Sequence, residues 1–210
     1  MKSIIIVGAS GFGREIVQYV EDINLIEPIW EIQGFLDDNL NALDSVKSDF
    51  KIIGTIKDYE PKEDDYFVCA LAFPEVKKKI VEQLKGRGAK FVSIIHPTVR
   101  INKYATIGEG VVITPNSNVN CGATVGDFVS VLNSGIGHDA HVGDYTTLSG
   151  RCSINGHVNV GNCVYMGCNV CIAPSKKIGD NAVLGMGSVV VANVKPNTTV
   201  FGNPAKRINF

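Results

Sequence analysis

The chain has 210 residues, room for one or two modest domains. Its 45% hydrophobic and 20% charged composition is that of a soluble globular protein and excludes a disordered or fibrous chain. A formal net charge of −1 gives no sign of steering toward nucleic acid or membrane surfaces, and no apolar run approaches the ~20 residues of a membrane span.

Residues 1–7 carry one Lys and an apolar run too short for a signal peptide, so they read as a first strand, Ser3–Val7. A continuous apolar run of this kind is typical of a buried parallel strand. Gly8, Gly11 and Gly13 follow, and Arg14–Asp22 has helical spacing. Glu31–Leu36 reads as a second strand ending in Asp37-Asp38, Tyr66–Leu71 as a third, and Glu75–Lys85 as a second helix that stops before Gly86. The run Lys77-Lys78-Lys79 on that helix reads as a solvated face. Phe91–Ile95 returns as a strand into His96-Pro97. Residues 1–94 therefore predict a small βαβ-type α/β domain with a parallel sheet.

Glycines between a strand and a helix permit a tight turn and leave the helix N–H groups open to an anion. The spacing G-x-x-G-x-G departs from the dinucleotide fingerprint, and the domain lacks the second half of a full dinucleotide site. Two readings remain: a phosphate or nucleotide-sugar cradle, with Asp37-Asp38 gripping a hydroxyl, or glycines that only let helix and strand pack.

From Ile95 the pattern changes to a beat of six. Apolar residues fall at Ile95, Ile101, Ile107, Ile113, Val119, Val125 and Val131, then at Ile136, Val142, Leu148, Ile154, Val160, Met166, Ile172, Ile178, Leu184 and Val190. Gly often follows the beat, and a small or β-branched residue lies four further on. This is the mark of a parallel β-helix whose coils stack to bury a continuous core. Lys176 occupies a slot that asks for a small or apolar residue, which predicts a local distortion. The second domain spans 95–210, and the lack of a long linker predicts that the two domains build one site together.

The beat shortens to five residues between Val131 and Ile136, and His138-Asp139 follows at once. An imidazole accepts a proton near neutral pH, and a carboxylate on its other nitrogen raises its basicity. The four histidines, His96, His138, His141 and His157, raise the alternative of a metal. The three that cluster, His138, His141 and His157, do not repeat at multiples of six in the six-residue frame, which predicts that they do not converge. His96 beside Pro97 reads as structural and His157 as a surface or packing residue. The six cysteines read as packing thiols in a reducing, cytoplasmic setting. The pair Cys168-x-x-Cys171 lacks the second pair that a structural zinc site wants.

These residues together resemble the left-handed β-helix sugar acyltransferases of bacterial glycan synthesis, a group with nucleotide-amino-sugar N-acetyltransferases and sialic acid O-acetyltransferases. The resemblance covers essentially the whole chain. It rests on Val7-Gly8-Ala9-Ser10-Gly11-Phe12-Gly13, Phe35-Leu36-Asp37-Asp38, Ile95-His96-Pro97, Gly137-His138-Asp139, Val142-Gly143-Asp144-Tyr145 and Gly202-Asn203-Pro204-Ala205-Lys206. It implies a Rossmann-like acceptor-sugar-binding domain over 1–94, a left-handed β-helix over 95–210, acetyl-CoA as donor with no metal, and a homotrimer with sites between subunits. It implies His138 as general base and Asp139 as the group that raises its basicity. It also implies Ser10, Gly11, Phe12, Asp37, Asp38 and Ala72 at the acceptor, and Thr147, Cys168 and Met186 at acetyl-CoA. Where relatives carry Gly-Asn after the third strand, this chain has Ala72-Phe73.

The expected function is acetyl transfer from acetyl-CoA to the amine of a nucleotide-linked amino sugar. The alternative on the same scaffold is O-acetylation of a sugar hydroxyl such as that of sialic acid. A zinc-dependent hydratase or a non-catalytic sugar-binding scaffold are the rivals from other classes.

Overall fold

The computed structural model describes residues 1–208. The chain divides into two compact units, residues 1–72 with 76–97, and residues 73–75 with 98 onward.

The first unit is a parallel sheet of β1 (Lys2–Val7), β2 (Trp30–Leu36), β3 (Ile52–Gly54), β4 (Asp65–Cys69) and β5 (Lys90–Phe91), in the order β3-β2-β1-β4-β5. Helices α1 (Gly11–Ile26) and α2 (Pro74–Gly86) complete it. The strand order reverses at β1, so its C-terminal end is the switch point of the sheet. Ile4, Ile5, Ile6 and Val7 are almost wholly buried, as a two-sided parallel strand requires. Helix α1 buries Gly13, Ile16 and Val20, three and four residues apart on one face.

Three expectations change here. The short strand β3 lies in a stretch with no alternation to betray it. The predicted strand over 91–95 is two pieces, Lys90–Phe91 and Ile94–Ile95. Lys77 is 1% exposed and belongs to the core face of α2, so only Lys78 and Lys79 form the solvated face. His96 is structural. Its Nε2 lies 2.9 Å from Asp22 Oδ2 and its ring meets Tyr19 edge-on at 5.8 Å. That hydrogen bond, with a second from Gln18, holds the Asp22 carboxyl below its ordinary range.

The second unit is a parallel β-helix of two-residue strands, closed by the three-residue strand Thr199–Phe201 and its antiparallel partner Lys206–Arg207. One sheet runs from Arg100–Ile101 to Val189–Val190, a second from Thr106–Ile107 to Lys177–Ile178, and a third from Val112–Ile113 to Lys206–Arg207. Beat residues stack into one aliphatic core: Val119, Ile136, Ile154, Ile172 and Val190 from one face are each at most 2% exposed. Ile101, at the sheet edge, is 41% exposed because a strand stacks on one side of it only.

Each corner is turned by one residue in the left-handed region, and these recur every six positions: Asp139, Tyr145, Arg151, His157, Cys163, Asn169, Ser175 and Asn181 all have φ between 54° and 64°. The exception is Phe128 to Asn133, five apart. The coil that contains it has 17 residues instead of 18: Thr124 pairs with His141, whereas His141 pairs with Asn159. Hydroxyls repair the ladder there. Thr114 Oγ1 accepts the Asn133 N–H at 2.8 Å, Ser117 Oγ accepts that of Ser134 at 3.1 Å, and Ser134 Oγ accepts that of Cys152 at 2.9 Å. Lys176 produces no such break. It is half-buried, and its carbonyl takes the Asn159 N–H at 2.9 Å as the ladder requires.

The glycines after the beat have a specific cause. Asp127, Asp144, Asn162 and Asp180 stack along one corner, and each side chain accepts a backbone N–H from the coil before it, at 2.8–2.9 Å. A Cβ on Gly108, Gly126, Gly143 or Gly161 would land on the carboxylate or amide oxygen of the next coil. Gly126→Ala should therefore destabilise the protein by about 1–3 kcal/mol, the cost of an overpacked contact. An unchanged denaturant midpoint would contradict the close stacking at this corner.

Among the described residues none of the six cysteines is in a disulfide. Burial pushes the Cys69 and Cys152 thiols up to about 11, as packing thiols. Cys121 and Cys168 are exposed and do not pack as expected. No helix among the described residues is long and apolar enough to cross a membrane.

Candidate active site

In the first unit the glycine turn caps the switch-point end of β1. Gly8 has φ +104°, a conformation that disfavours a side chain. A Cβ on Gly13 would collide with the Gly8 carbonyl, so Gly13 lets α1 start directly against β1. Gly11 is different: a Cβ there meets only the end of the Arg14 side chain, at 3.9 Å. The two readings of the glycines thus divide between them, with Gly13 explained by packing and Gly11 open.

Ser10 precedes the helix in an extended conformation, and its hydroxyl makes no capping bond. The first N–H groups of α1 are left to a ligand or solvent. Ser10 and Gly11 are exposed, and Phe12 and Ala72 half-buried. Asp37 Oδ2 accepts the Ala9 N–H at 2.8 Å and its Oδ1 accepts that of Asn39 at 2.9 Å. Asp38 Oδ1 accepts the Lys57 N–H at 3.1 Å. The acidic pair therefore shapes the turn first, and only the remaining lone pairs are open to a hydroxyl.

In the second unit His138 and Asp139 do meet. Nδ1 lies 2.9 Å from Asp139 Oδ2, although the residues are neighbours in sequence. The left-handed corner at Asp139, φ +55°, turns its side chain back toward the imidazole. Two glycines make room. A Cβ on Gly122 would stand 2.5 Å from Asp139 Oδ1, and one on Gly156 would stand 2.5 Å from His138 Nε2. With Nδ1–H donating to the carboxylate, Nε2 carries the free lone pair. The His138 side chain is 60% exposed, so that lone pair is open to an incoming group.

His157 joins this pair, against the expectation that the histidines stay apart. Its ring meets that of His138 edge-on at 5.0 Å and 90°. The six-residue arithmetic missed this because a corner side chain leans across to the coil below: Asp139 and His157 occupy the same corner on successive coils. His138, Asp139 and His157 offer ligand atoms within 4.8 Å of one another, a set that could take a metal ion, and His141 is not among them. Gly122, Gly156 and His157 border the candidate pair, and the sequence reading did not place them there. The signal for them was the 18-residue coil, counted with its one 17-residue turn.

Cys168 and Met186 also share a corner on successive coils, both exposed, with the Gly187 N–H bonded to the Cys168 carbonyl at 2.8 Å. Thr147 is apart from them in character. Beside the inward Leu148 it points outward, yet it has no exposed surface. Its neighbour on that face, Tyr165, is stacked by Phe73 at 5.5 Å.

The family described as the PglD N-terminal domain matches residues 3–84. A GDP-perosamine N-acetyltransferase of Escherichia coli O157:H7 is 28% identical over 68% of this chain and 67% of its own. Serine acetyltransferase 4 of Arabidopsis thaliana is 31% identical over 69% of this chain, which spans only 38% of that protein. The acetyltransferase domain of PglB from Neisseria gonorrhoeae superposes with a TM-score of 0.87 at 26% identity, over 99% of this chain and 100% of that one. PerB from Caulobacter crescentus, solved with CoA and GDP-perosamine, gives 0.89 at 19% identity, over 100% and 98%, which bears on the fold alone. The α/β domain followed by a left-handed parallel β-helix is the fold of this group. In both halves the chain is similar to nucleotide-amino-sugar acetyltransferases with the hexapeptide-repeat fold.

Proposed function

We propose that the chain transfers acetyl from acetyl-CoA to the amine of a nucleotide-linked amino sugar. The observation that carries this is the His138–Asp139 contact at 2.9 Å, with Nε2 left open over Gly156. Nε2 removes a proton from the acceptor amine as its nitrogen attacks the thioester carbonyl. The tetrahedral adduct then collapses, the C–S bond breaks, and CoA leaves as the thiol once it has taken up a proton. Asp139 holds Nδ1–H and stabilises the imidazolium formed in between. The GDP-perosamine N-acetyltransferase relative supports amine as the acceptor, and the PglB acetyltransferase domain, also solved in complex with acetyl coenzyme A, supports the donor.

The acceptor's phosphates are assigned to the open helix start at Ser10–Gly11, with Phe12, Asp37, Asp38 and Ala72 around them, in a domain taken as 1–94. The donor is assigned to the 95–210 domain, along the corner of Cys168 and Met186. Thr147, with no exposed surface, takes part only if its cover moves. The working form is a homotrimer, for which sedimentation should give three chains. A clean monomer at micromolar concentration with full activity would contradict it.

Direct transfer predicts that acetyl-CoA alone leaves the protein's mass unchanged. A stable acetyl adduct on Cys121 or Cys168 that turns over with acceptor would replace direct attack with a covalent route. A chelator should leave activity intact, and its loss would bring back the metal reading of His138, Asp139 and His157.

A further inference from the structure

We infer that His157 is a positioning residue that holds the His138–Asp139 pair in its reactive arrangement. The inference rests on the proposed function, because it gives the pair its chemistry.

The pair needs a restraint. His138 is 60% and Asp139 54% exposed, and an exposed contact of this kind holds its geometry only weakly. Left to themselves the two side chains would sample several rotamers. Below the imidazole lies bare backbone at Gly156, which shapes one side of its seat without gripping it. The group that closes another side is the His157 ring, edge-on at 5.0 Å. Its Nε2 also stands 3.9 Å from Asp139 Oδ2, the oxygen that receives His138 Nδ1. That is too long for a hydrogen bond, so the ring bounds the space beside the carboxylate without bonding to it. The backbone adds to this, since the His157 N–H donates to the His138 carbonyl at 3.0 Å.

The residue is also costly in its place. His157 has φ +58°, where Asn or Gly sits more easily. Asn133, Asn169 and Asn181 fill equivalent corners of this β-helix, and Phe128 and Tyr145 show that a ring is tolerated there. A corner chosen for folding alone has better residues available, which is consistent with a functional use of this histidine.

The test separates stability from turnover. His157→Asn removes the ring and suits the corner, so the unfolding midpoint should hold or rise. kcat should fall roughly tenfold, the scale of groups that orient a reactive residue, with KM for acetyl-CoA and acceptor within about twofold of the parent. His157→Phe, which restores a ring edge, should regain part of the lost kcat. Added to His138→Ala, His157→Asn should change nothing further, because it acts through His138. Unchanged kcat in His157→Asn would overturn the inference. So would a rise in KM for acetyl-CoA at constant kcat, which would make His157 a ligand contact, or a further full loss in the His138→Ala background. If His138→Ala itself keeps full turnover, the proposed function fails first. If His138→Ala is inactive and His157→Asn is not, only the present inference fails.

Discussion

His138→Ala should fold as the parent does and lose roughly 10²–10⁴ in kcat, the usual worth of a general base. The side chain is exposed on a corner and bears on no core contact, so its truncation leaves the aliphatic stack of Val142, Val160 and Ile178 untouched. What disappears is the one free imidazole nitrogen seated over Gly156. KM values should move little, because the loss falls on the transition state and not on binding. Asp139→Asn should cost less and shift the pH profile: the amide cannot compensate an imidazolium, yet Asn keeps the left-handed corner. Steady-state rates with a natural acceptor, together with a denaturation curve, separate the chemical loss from unfolding. Unchanged turnover in His138→Ala would remove it from the mechanism.

The second large effect should divide two glycines that lie two positions apart. Gly13→Val should destabilise the first unit by about 3 kcal/mol or more, since its side chain would be driven into the Gly8 carbonyl, where only backbone movement makes room. Gly11→Val meets open space and should fold. It places a side chain where an acceptor phosphate would approach the first N–H groups of α1. Acceptor affinity should fall by more than tenfold, with acetyl-CoA affinity nearly unaltered, because a blocked helix start loses hydrogen bonds and the favourable dipole together. Calorimetric titration of each ligand into Gly11→Val reads the outcome. If acetyl-CoA binding fell while the acceptor bound normally, the first unit would have to be read as the donor site.

The repeat made the second half of the fold legible, because a six-residue period leaves no other economical way to bury one aliphatic residue per step. The short step from Val131 to Ile136 was legible too, and it did mark an irregular coil. Its repair was not, because Thr114, Ser117 and Ser134 read as ordinary polar residues until the backbone groups they serve are located. In the first half, β1 and the two helices stood out by apolar run and periodicity, whereas β3 has three residues and no alternation. Lys77 was misread because a charge run hides the helical spacing that turns one of its members inward. At the candidate site, His138 and Asp139 were singled out from the short step, chemistry and sequence adjacency, and the two side chains do meet. His157 was missed because spacing was counted within the six-residue step, whereas contacts at a corner are set by the whole coil, with side chains leaning across it. Asp37 was assigned to a ligand on its charge, and the structure shows it first closing the Gly8–Ala9 turn.

The central claim is acetyl transfer to a sugar amine with His138 as base. It is tested most directly by following CoA thiol release from acetyl-CoA with matched nucleotide-linked sugars, one bearing an amine and the other a hydroxyl at the same carbon. The account predicts release with the amino sugar, formation of an amide that resists hydroxylamine, and loss of both in His138→Ala. Release with the hydroxyl sugar alone, or equal release by His138→Ala, would contradict it.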